Sequence, residues 1–208
     1  MTIAREGWPY IGILLGVAAI AFAFRFPWTG GILAVLGLFT TFFFRDPERA
    51  IPGDPKLVLS PADGKVVQVV PAPDGHPLGK GATQVSIFLS IFDVHINRSP
   101  IAGKITAVQY HPGEFLPAFD HKASERNEQN SVIVEAGSSR VMFKQIAGLI
   151  ARRIVFKKRL DDEVAAGERV GLIKFGSRVD VFLPTGVTLR VKVGDRVSGG
   201  TSVIAERP

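Results

Sequence analysis

The chain has 208 residues, of which 46% are hydrophobic, and it carries a net charge of +6 and no cysteine. The absence of cysteine excludes disulfides, thiolate metal sites and cysteine nucleophiles. The positive charge favours a partner with negative charge. Aromatic and basic residues are not interleaved as a platform for nucleic acid requires, so we expect no nucleic-acid partner and favour an anionic lipid surface.

Residues 1–50 are predicted to form a membrane-associated helical hairpin with a juxtamembrane segment. From Trp8 to Phe44 the only charged residue is Arg25. The apolar stretches on either side of it, residues 7–24 and 26–44, are each close to the roughly 17 to 25 residues that a membrane-spanning helix needs. The sequence therefore predicts two helices that enter or cross a bilayer.

The break between the two stretches predicts a turn, supplied by Pro27, Gly30 and Gly31. Three arginines flank the outer ends of the hairpin and one lies in the turn, which places both termini and the rest of the chain on the cytoplasmic side of a cell membrane. These arginines are Arg5, Arg45 and Arg49 at the ends and Arg25 in the turn.

Two other interpretations of the apolar segment stay open. One is a signal peptide with Arg5 in its charged region, and the other is a hairpin buried in a soluble core. No clear small-residue cleavage site precedes Arg25, and a second apolar stretch follows at once. Both features favour the membrane hairpin over a signal peptide.

Residues 51–208 are predicted to form a mainly β domain, a sandwich or barrel-like fold with few short helices. Branched and aromatic residues at alternate positions indicate strands. No helix-rich crossover separates the strands, which argues against a doubly wound parallel sheet. One short helix is expected near residues 91–97 or 115–123. The predicted strands are residues 57–59, 64–70, 84–89, 103–110, 131–136, 141–146, 153–156, 169–175, 178–183, 188–191 and 202–206.

Polar residues in apolar surroundings are the candidates for chemistry. The histidines do not have metal-ligand spacing, and neither a phosphate-binding loop nor a hydrolase nucleophile elbow is present, so no metal or nucleotide site is predicted. Each candidate also has a plain structural explanation, such as a turn at Asp63-Gly64 or at Gly176-Ser177. The candidates are Asp63, Asp93, His95, His111, His121, Glu125, Ser177 and Asp180.

Six segments, in a fixed order and spread over nearly the whole chain, together resemble the short form of phosphatidylserine decarboxylase. No single segment is specific, but the ordered set is. The segments are FFRDPER at 43–49, SPADG at 60–64, DVHINRSP at 93–100, SERNE at 124–128, QIAGLIARR at 145–153 and GERVGLIKFGSRVD at 167–180.

The resemblance implies a proenzyme that cleaves itself between Gly176 and Ser177. The products, residues 1–176 and 177–208, would stay together as a heterodimer, and a higher oligomer is compatible with this. Ser177 would become an N-terminal pyruvoyl group, the covalent cofactor, which forms a Schiff base with the amine of phosphatidylserine. Loss of carbon dioxide would give phosphatidylethanolamine in phospholipid biosynthesis, without a metal.

A serine hydroxyl is a poor nucleophile unless a base accepts its proton. We predict that His95, oriented by Asp63, is this base, by the logic of a Ser-His-Asp arrangement. Long-form members of the family carry a second histidine where this chain has Arg98. Whether His95 serves self-cleavage, decarboxylation or both therefore stays open, and His111 or His121 are candidates to share the work.

A basic run in the β-rich domain has two interpretations. It either faces an anionic membrane surface or protects an edge strand from aggregation by its charge. The run consists of Arg152, Arg153, Lys157, Lys158 and Arg159.

Two alternative functions also stay open. The turn at Gly194-Asp195 is typical of lipoyl-like modules, which indicates a non-catalytic, membrane-anchored barrel-sandwich carrier or adaptor, although the lysine that such a module modifies is missing. The other alternative is a pyruvoyl-dependent decarboxylase of a soluble amino acid, which would leave the apolar N-terminal segment unexplained.

Overall fold

The protein is described by a computed structural model that covers residues 2–73, 75–114, 126–148, 153–174 and 176–208. The chain divides into two compact units, Met1–Glu48 and Arg49–Pro208. The first is helical and the second is mainly β.

The N-terminal unit is a helical hairpin, as predicted. A short strand β1 (Thr2–Ile3) and one 3-10 turn (Arg5–Gly7) lead into α1 (Trp8–Ala23), and α2 (Pro27–Phe43) returns to β2 (Arg45–Asp46), which pairs antiparallel with β1. The strand pair closes the open end of the hairpin. The two helices therefore begin and end at nearly the same level.

The predicted turn lies at a different place. The chain reverses over residues 24–26, where Arg25 adopts a positive φ of 63°, and Pro27 already opens α2 at a position that its missing N–H suits. Gly30 and Gly31 are helical, so the prediction that they form the turn is wrong. A Cβ at Gly30 would stand 2.9 Å from the Phe22 ring, which shows that this glycine serves close packing of the helices.

Among the described residues, one helix, Arg5–Ala23, is long and apolar enough to cross a membrane, and α2 is a shorter apolar helix. Many large apolar side chains of both helices are exposed. Exposed apolar surface of this extent is typical of a face that contacts lipid or a partner. The exposed residues include Ile13, Val17, Ile20, Trp28, Ile32, Val35 and Leu38.

The second unit is built almost entirely from strands. They are β3 (Leu57–Leu59), β4 (Gly64–Pro71), β5 (Thr83–Leu89), β6 (Ile96–Arg98), β7 (Gly103–His111), β8 (Gln129–Ala136), β9 (Ser139–Ala147), β10 (Ile154–Phe156), β11 (Glu163–Val164), β12 (Arg169–Ile173), β13 (Ser177–Leu183), β14 (Thr188–Leu189), β15 (Arg196–Val197) and β16 (Val203–Glu206).

These strands form one large and two small sheets. The large sheet has eight strands in the order β11-β7-β8-β9-β13-β5-β4-β15 and curls into a half-barrel. The small sheets are β10-β12-β6 and β14-β16-β3. The named strand pairs are antiparallel, which confirms the predicted β-rich class and agrees with the absence of crossover helices.

All eleven predicted strands are confirmed, with ends that differ by at most two residues. In the β-rich unit, the strands that the sequence did not predict are β6, β11 and β15. The helix expected over residues 91–97 is wrong, because residues 91–93 form a turn and β6 follows, paired with β12. Strand β6 reads Ile-Asn-Arg and is buried throughout, so it lacks the alternation that marks a half-buried strand. The alternative helix at residues 115–123 lies outside the described residues.

Strand β13 is the central element, hydrogen-bonded to β5 on one side and to β9 on the other. Its side chains alternate between two faces. Val179, Val181 and Leu183 face the hydrophobic core. Arg178 and Asp180 point to the opposite face, and both are almost completely buried.

Arg178 and Asp180 form a buried polar network on that face. The Arg178 Nε donates to Asp180 Oδ1 at 2.6 Å, and Arg178 Nη2 donates to Ser86 Oγ at 2.7 Å. Gln84 Nε2 donates to the second carboxylate oxygen of Asp180 at 3.0 Å. Since β5 supplies Gln84 and Ser86, the network fastens the first half of β13 to its neighbour.

We expect Asp180→Ala to lower the free energy of unfolding by about 3–5 kcal/mol, because it leaves the Arg178 charge buried without its partner. The matched control is Glu206→Ala, which breaks the exposed ion pair with Arg190 and should cost about 0–1 kcal/mol. Urea unfolding of the full chain in detergent, followed by far-UV circular dichroism, measures both. Equal losses of unfolding free energy in the two variants would show that the buried Arg178–Asp180 pair matters no more than an exposed one.

Candidate active site

His95 is buried, 2% exposed, and lies just before β6. Its Nδ1 is 2.9 Å from the main-chain oxygen of Asp93. A carbonyl oxygen only accepts hydrogen bonds, so Nδ1 must carry the proton and donate it. In the neutral ring this leaves Nε2 as an acceptor.

The second ring nitrogen confirms this assignment. The backbone N–H of Gly176 donates to His95 Nε2 at 3.3 Å, and a backbone N–H cannot accept. Two independent partners therefore agree on the same tautomer. The lone pair of Nε2, which is the basic position of the ring, is directed at the segment that the sequence singles out for self-cleavage.

Ser177 is the first residue of β13, opposite Leu89 of β5 and Ala147 of β9. Its side-chain Oγ is fully buried and has no hydrogen-bond partner among the residues that the structure describes. A buried polar group without a hydrogen-bond partner lowers the stability of the fold by about 1–3 kcal/mol. Such groups are rare in folded proteins and often mark a functional position.

Gly176 links β12 to β13 and is not itself part of a strand. Its φ of +64° lies in the left-handed region, which glycine adopts without steric cost. No described atom outside its chain neighbours lies within 4 Å of the place where a Cβ would stand. The bend thus brings the Gly176 N–H to His95 while Ser177 enters the sheet.

The Asp93 carboxylate fixes the turn that holds His95. Its Oδ2 accepts from the backbone N–H of Ser90 at 2.8 Å and from Ser90 Oγ at 2.7 Å, and its Oδ1 accepts from Arg196 Nη1 at 3.2 Å. The residue therefore acts on His95 through its carbonyl oxygen. Sequence reasoning named Asp93 as a candidate but has no signal for a role of its main chain.

Asp63 lies in a different set of contacts. Its Oδ2 pairs with Arg49 Nη2 at 2.7 Å, and its Oδ1 accepts from the backbone N–H of Gly199 at 2.8 Å. The pairing of Asp63 with His95 that the sequence predicts is not formed by these contacts. In this structure the Asp63 carboxylate holds the turn before Gly200, whose N–H donates to Ser60.

Arg98 is buried and donates from Nη1 to the carbonyl oxygen of Gly167 at 2.9 Å. A guanidinium has no acceptor and does not lose its proton in proteins. Arg98 therefore does not replace a second histidine as a base. The hydrogen bond to Gly167 is structural and joins β6 to the loop that precedes β12.

A chain of buried amides, which sequence reasoning missed, lies beside these residues. Asn130 Nδ2 donates to Gln145 Oε1 at 3.1 Å, and Gln145 Nε2 donates to Asn97 Oδ1 at 2.8 Å. The Asn97 Nδ2 at the end of this chain is buried and has no hydrogen-bond partner among the described residues. Isolated amides on three strands give no pattern that a sequence reader can recognise.

The remaining histidines lie elsewhere or outside the described residues. His111 is exposed at the end of β7, and His76 stacks on the Phe182 ring with its pKa lowered by burial and by the nearby Lys144. His121, like Glu125, belongs to a range that the structure does not describe. Among the described residues, no group of three His, Asp or Glu side chains is placed to hold a metal ion.

The basic run flanks β10, which is an edge strand of its sheet, as the protective interpretation requires. Lys158 pairs with Glu168 at 2.5 Å. Burial raises the pKa of the Glu168 carboxyl, but hydrogen bonds from Lys158 and from the Ala165 N–H lower it, and the net shift of the pKa is downward. Arg153 and Lys157 are exposed, which the membrane interpretation requires, and Arg152 lies outside the described residues.

Comparison with known proteins places the whole chain in one family. The family model for phosphatidylserine decarboxylase matches residues 36–205. A protein of Symbiobacterium thermophilum is 48% identical over 207 residues, which cover 99% of this chain and 96% of the relative. A protein of Solibacter usitatus is 51% identical over 94% of this chain and 95% of its own length.

A third relative, from Burkholderia multivorans, is 45% identical over 98% of this chain and 95% of its own length. All three relatives carry the name phosphatidylserine decarboxylase proenzyme. The chain therefore belongs to the phosphatidylserine decarboxylase family.

Proposed function

We propose that this chain is a proenzyme that cleaves itself between Gly176 and Ser177 and then decarboxylates phosphatidylserine to phosphatidylethanolamine. One observation carries the proposal. The Ser177 hydroxyl is buried and without a partner, directly after a glycine whose N–H is held by the acceptor nitrogen of His95.

Self-cleavage begins with an acyl shift. The hydrogen bond from the Gly176 N–H to His95 Nε2 breaks, and Nε2 then accepts the proton of Ser177 Oγ. The oxygen bonds to the carbonyl carbon of Gly176, the peptide C–N bond breaks, and the proton passes to the nitrogen of Ser177. An ester between the two residues replaces the amide.

The ester is then eliminated. Loss of the Cα proton of Ser177 breaks its Cβ–Oγ bond, and residues 1–176 leave with a carboxylate at Gly176. The dehydroalanine at position 177 takes up water and releases ammonia, which forms a pyruvoyl group at the new N-terminus. A pyruvoyl carbonyl supplies an electron sink for the pair left when a substrate carboxylate departs as carbon dioxide.

The residues present fit such a group. Position 177 is the first residue of a strand held by β5 and β9, so a new chain end there stays fixed. His95 Nε2 lies next to it as a proton acceptor, and the Asn97 amide is a buried donor in the same layer. Neither residue depends on the Gly176–Ser177 bond for its own position.

The sheet also keeps the two products together. Residues 177–208 contribute β13 to the centre of the large sheet, where β5 and β9 flank it. The same segment pairs β15 with β4 and β16 with β3. These ladders support the proposed heterodimer of residues 1–176 and 177–208.

The N-terminal hairpin supports a membrane location. A helix over Arg5–Ala23 has the length and composition to cross a bilayer, and the substrate is a lipid with an anionic headgroup. The arginines at the ends of the hairpin favour a cell-membrane protein whose β-rich unit lies on the cytoplasmic side. The side chains of Arg153 and Lys157, on either side of β10, are exposed, as contact with such a surface requires.

Asp63 belongs to the proposed catalytic set with Ser177 and His95. Its carboxylate contacts Arg49 and Gly199 in this structure. Orientation of His95 by Asp63 therefore requires that the carboxylate leave Arg49 and take the place of the Asp93 carbonyl at Nδ1. This step separates the proposed role of Asp63 from that of Asp93, whose carbonyl already contacts the ring.

We expect Ser177→Ala to give one uncut chain, because it removes the attacking oxygen. The unaltered protein should give two fragments that meet at Gly176 and Ser177, the smaller one blocked to N-terminal sequencing. Intact mass spectrometry of both purified proteins measures this. With phosphatidylserine vesicles, only the cut protein should release carbon dioxide.

The same experiment separates the alternatives. An intact chain in the unaltered protein would indicate a non-catalytic carrier or adaptor. A cut protein that ignores phosphatidylserine vesicles and turns over a soluble amino acid would indicate the other pyruvoyl-dependent enzyme.

We expect His95→Gln to slow self-cleavage by about 10²- to 10⁴-fold, because glutamine cannot accept the proton of Ser177 Oγ. The fraction cut is followed on denaturing gels after synchronised cell-free synthesis. His76→Gln is the control, since His76 lies on the Phe182 ring and should leave the rate unchanged. Equal rates for His95→Gln and the unaltered chain would remove His95 from the mechanism.

We expect Asp63→Asn to slow self-cleavage by about 10⁴-fold, the loss typical of a base whose orienting carboxylate is neutralised. Arg49→Gln removes the ion-pair partner but leaves the carboxylate, so it should not slow cleavage. If both variants cleave at the normal rate and lose thermal stability to the same degree, Asp63 has only the structural role of its present contacts.

A further inference from the structure

We propose that the Asn97 side chain donates a hydrogen bond to the oxyanion that forms on the Gly176 carbonyl oxygen during self-cleavage. The inference rests on the proposed self-cleavage and adds a catalytic residue to it. Its starting point is the Asn97 Nδ2, which is buried and unpaired among the described residues.

The hydrogen bonds of the amide chain make the Asn97 NH₂ group its free end. Gln145 Nε2 donates to Asn97 Oδ1, and Gln145 Oε1 in turn accepts from Asn130 Nδ2. Reversal of Asn97 alone would place its NH₂ group against the NH₂ group of Gln145. With Gln145 in this orientation, the Asn97 NH₂ group is therefore directed away from Gln145.

The chain and the strand register place Asn97 close to the scissile bond. Asn97 follows His95 by two residues, so their backbones lie within about 7 Å of each other. The His95 ring reaches the N–H of Gly176. On the facing sheet, Gln145 lies two residues before Ala147, which is opposite Ser177.

Gln145 and Ser177 thus share one face of the large sheet as diagonal neighbours, about 7–8 Å apart. The Asn97 amide is bonded to Gln145 and therefore lies against this face. Two buried groups without partners, the Asn97 Nδ2 and the Ser177 Oγ, occupy the same layer.

A donor that is unpaired in the ground state contributes only when an acceptor develops. Interactions that exist only in the transition state are the ones that accelerate a reaction. When Ser177 Oγ attacks the Gly176 carbonyl, negative charge develops on the carbonyl oxygen in this buried layer. A preorganised amide donor costs no reorganisation at that moment.

The test compares two isosteric changes of amide to carboxyl, Asn97→Asp and Asn130→Asp, in the full chain. Asn97→Asp keeps the acceptor for Gln145 and removes a donor that bonds to nothing in the fold. We expect it to slow self-cleavage by about 10²- to 10³-fold, the loss seen when one oxyanion donor is removed.

Asn130→Asp removes a donor that the fold does use and leaves the Asn97 Nδ2 in place. A merely structural role of the amide chain would make this variant at least as slow as Asn97→Asp. We expect the reverse order. Asn130→Asp should cleave at a rate within about tenfold of that of the unaltered chain, although its melting temperature should fall further than that of Asn97→Asp.

A second variant removes the risk that a buried carboxyl prevents folding. The pair Asn97→Leu and Gln145→Leu replaces both amides by apolar side chains of similar shape and introduces no buried carboxyl. The Asn130 Nδ2 loses its acceptor in this variant, which lowers the stability of the variant but leaves the fold to be checked directly. The double variant should show the same slow cleavage as Asn97→Asp. Gel time courses after cell-free synthesis and far-UV circular dichroism give the rate and the fold.

The outcomes separate this inference from the proposed function. Cleavage by Asn97→Asp or by the double variant at a rate within threefold of the unaltered chain would overturn the role of Asn97 alone. An unaltered chain that never cleaves would overturn the proposed function, whatever the variants do.

Discussion

The hydrogen bond from His95 Nδ1 to the main-chain oxygen of Asp93 is the constraint on which the site depends. A carbonyl accepts under all conditions, so it holds the ring in one tautomer without adding a charge. The Asp93 carboxylate, fixed by Ser90 and Arg196, keeps that carbonyl in place. In the other neutral tautomer the proton is on Nε2. Its N–H would then point at the N–H of Gly176, and two donors cannot form a hydrogen bond.

Contacts on both faces hold the residues of strand β13 that follow Ser177, and Ser177 itself is the proposed site of reaction. The ion pair of Arg178 with Asp180 and the core residues Val179 and Val181 fasten it on both faces. At its first position, Ser177 leaves a buried hydroxyl unpaired. The cost of that hydroxyl, about 1–3 kcal/mol, is tolerated because the rest of the strand determines where Ser177 must lie.

Much of the fold follows from the sequence, because period-two alternation is a local property of each strand. Strand β4 carries it over residues 64–67, where buried and exposed side chains alternate, and its position is predicted. Strand β6 does not, since both of its faces are buried and two of its three residues are polar. Short strands such as β15 are defined by their partners and have no pattern of their own.

The site divides in the same way. The sequence predicts Gly176, Ser177 and His95 as candidates because the segments that contain them form an ordered, specific set. The contact between Gly176 and His95, across 81 residues of chain, is a property of the fold. The main-chain role of Asp93 and the amide donor of Asn97 depend on strand register and on hydrogen-bond partners, which no local pattern specifies. Only the three-dimensional arrangement reveals them.

The position of the Gly176–Ser177 bond is compatible with the proposed cleavage, because a cut there would not require loss of the fold. Strand β12 belongs to a three-stranded sheet and β13 to the eight-stranded one, so Gly176 is a covalent link between two sheets. No ladder of hydrogen bonds runs through a link of this kind. Cutting it removes a tether and leaves the described strand pairs on both sides unchanged.

The proposed cleavage would place the new chain end beside His95. Asn97 belongs to the small sheet and His95 directly precedes its strand, whereas Ser177 belongs to the large sheet. The side chains of all three residues are buried. In such surroundings, hydrogen bonds to a developing charge are stronger than in water. A cut further along β13 would leave the new chain end away from Nε2 of His95, which lies 3.3 Å from the backbone nitrogen of Gly176.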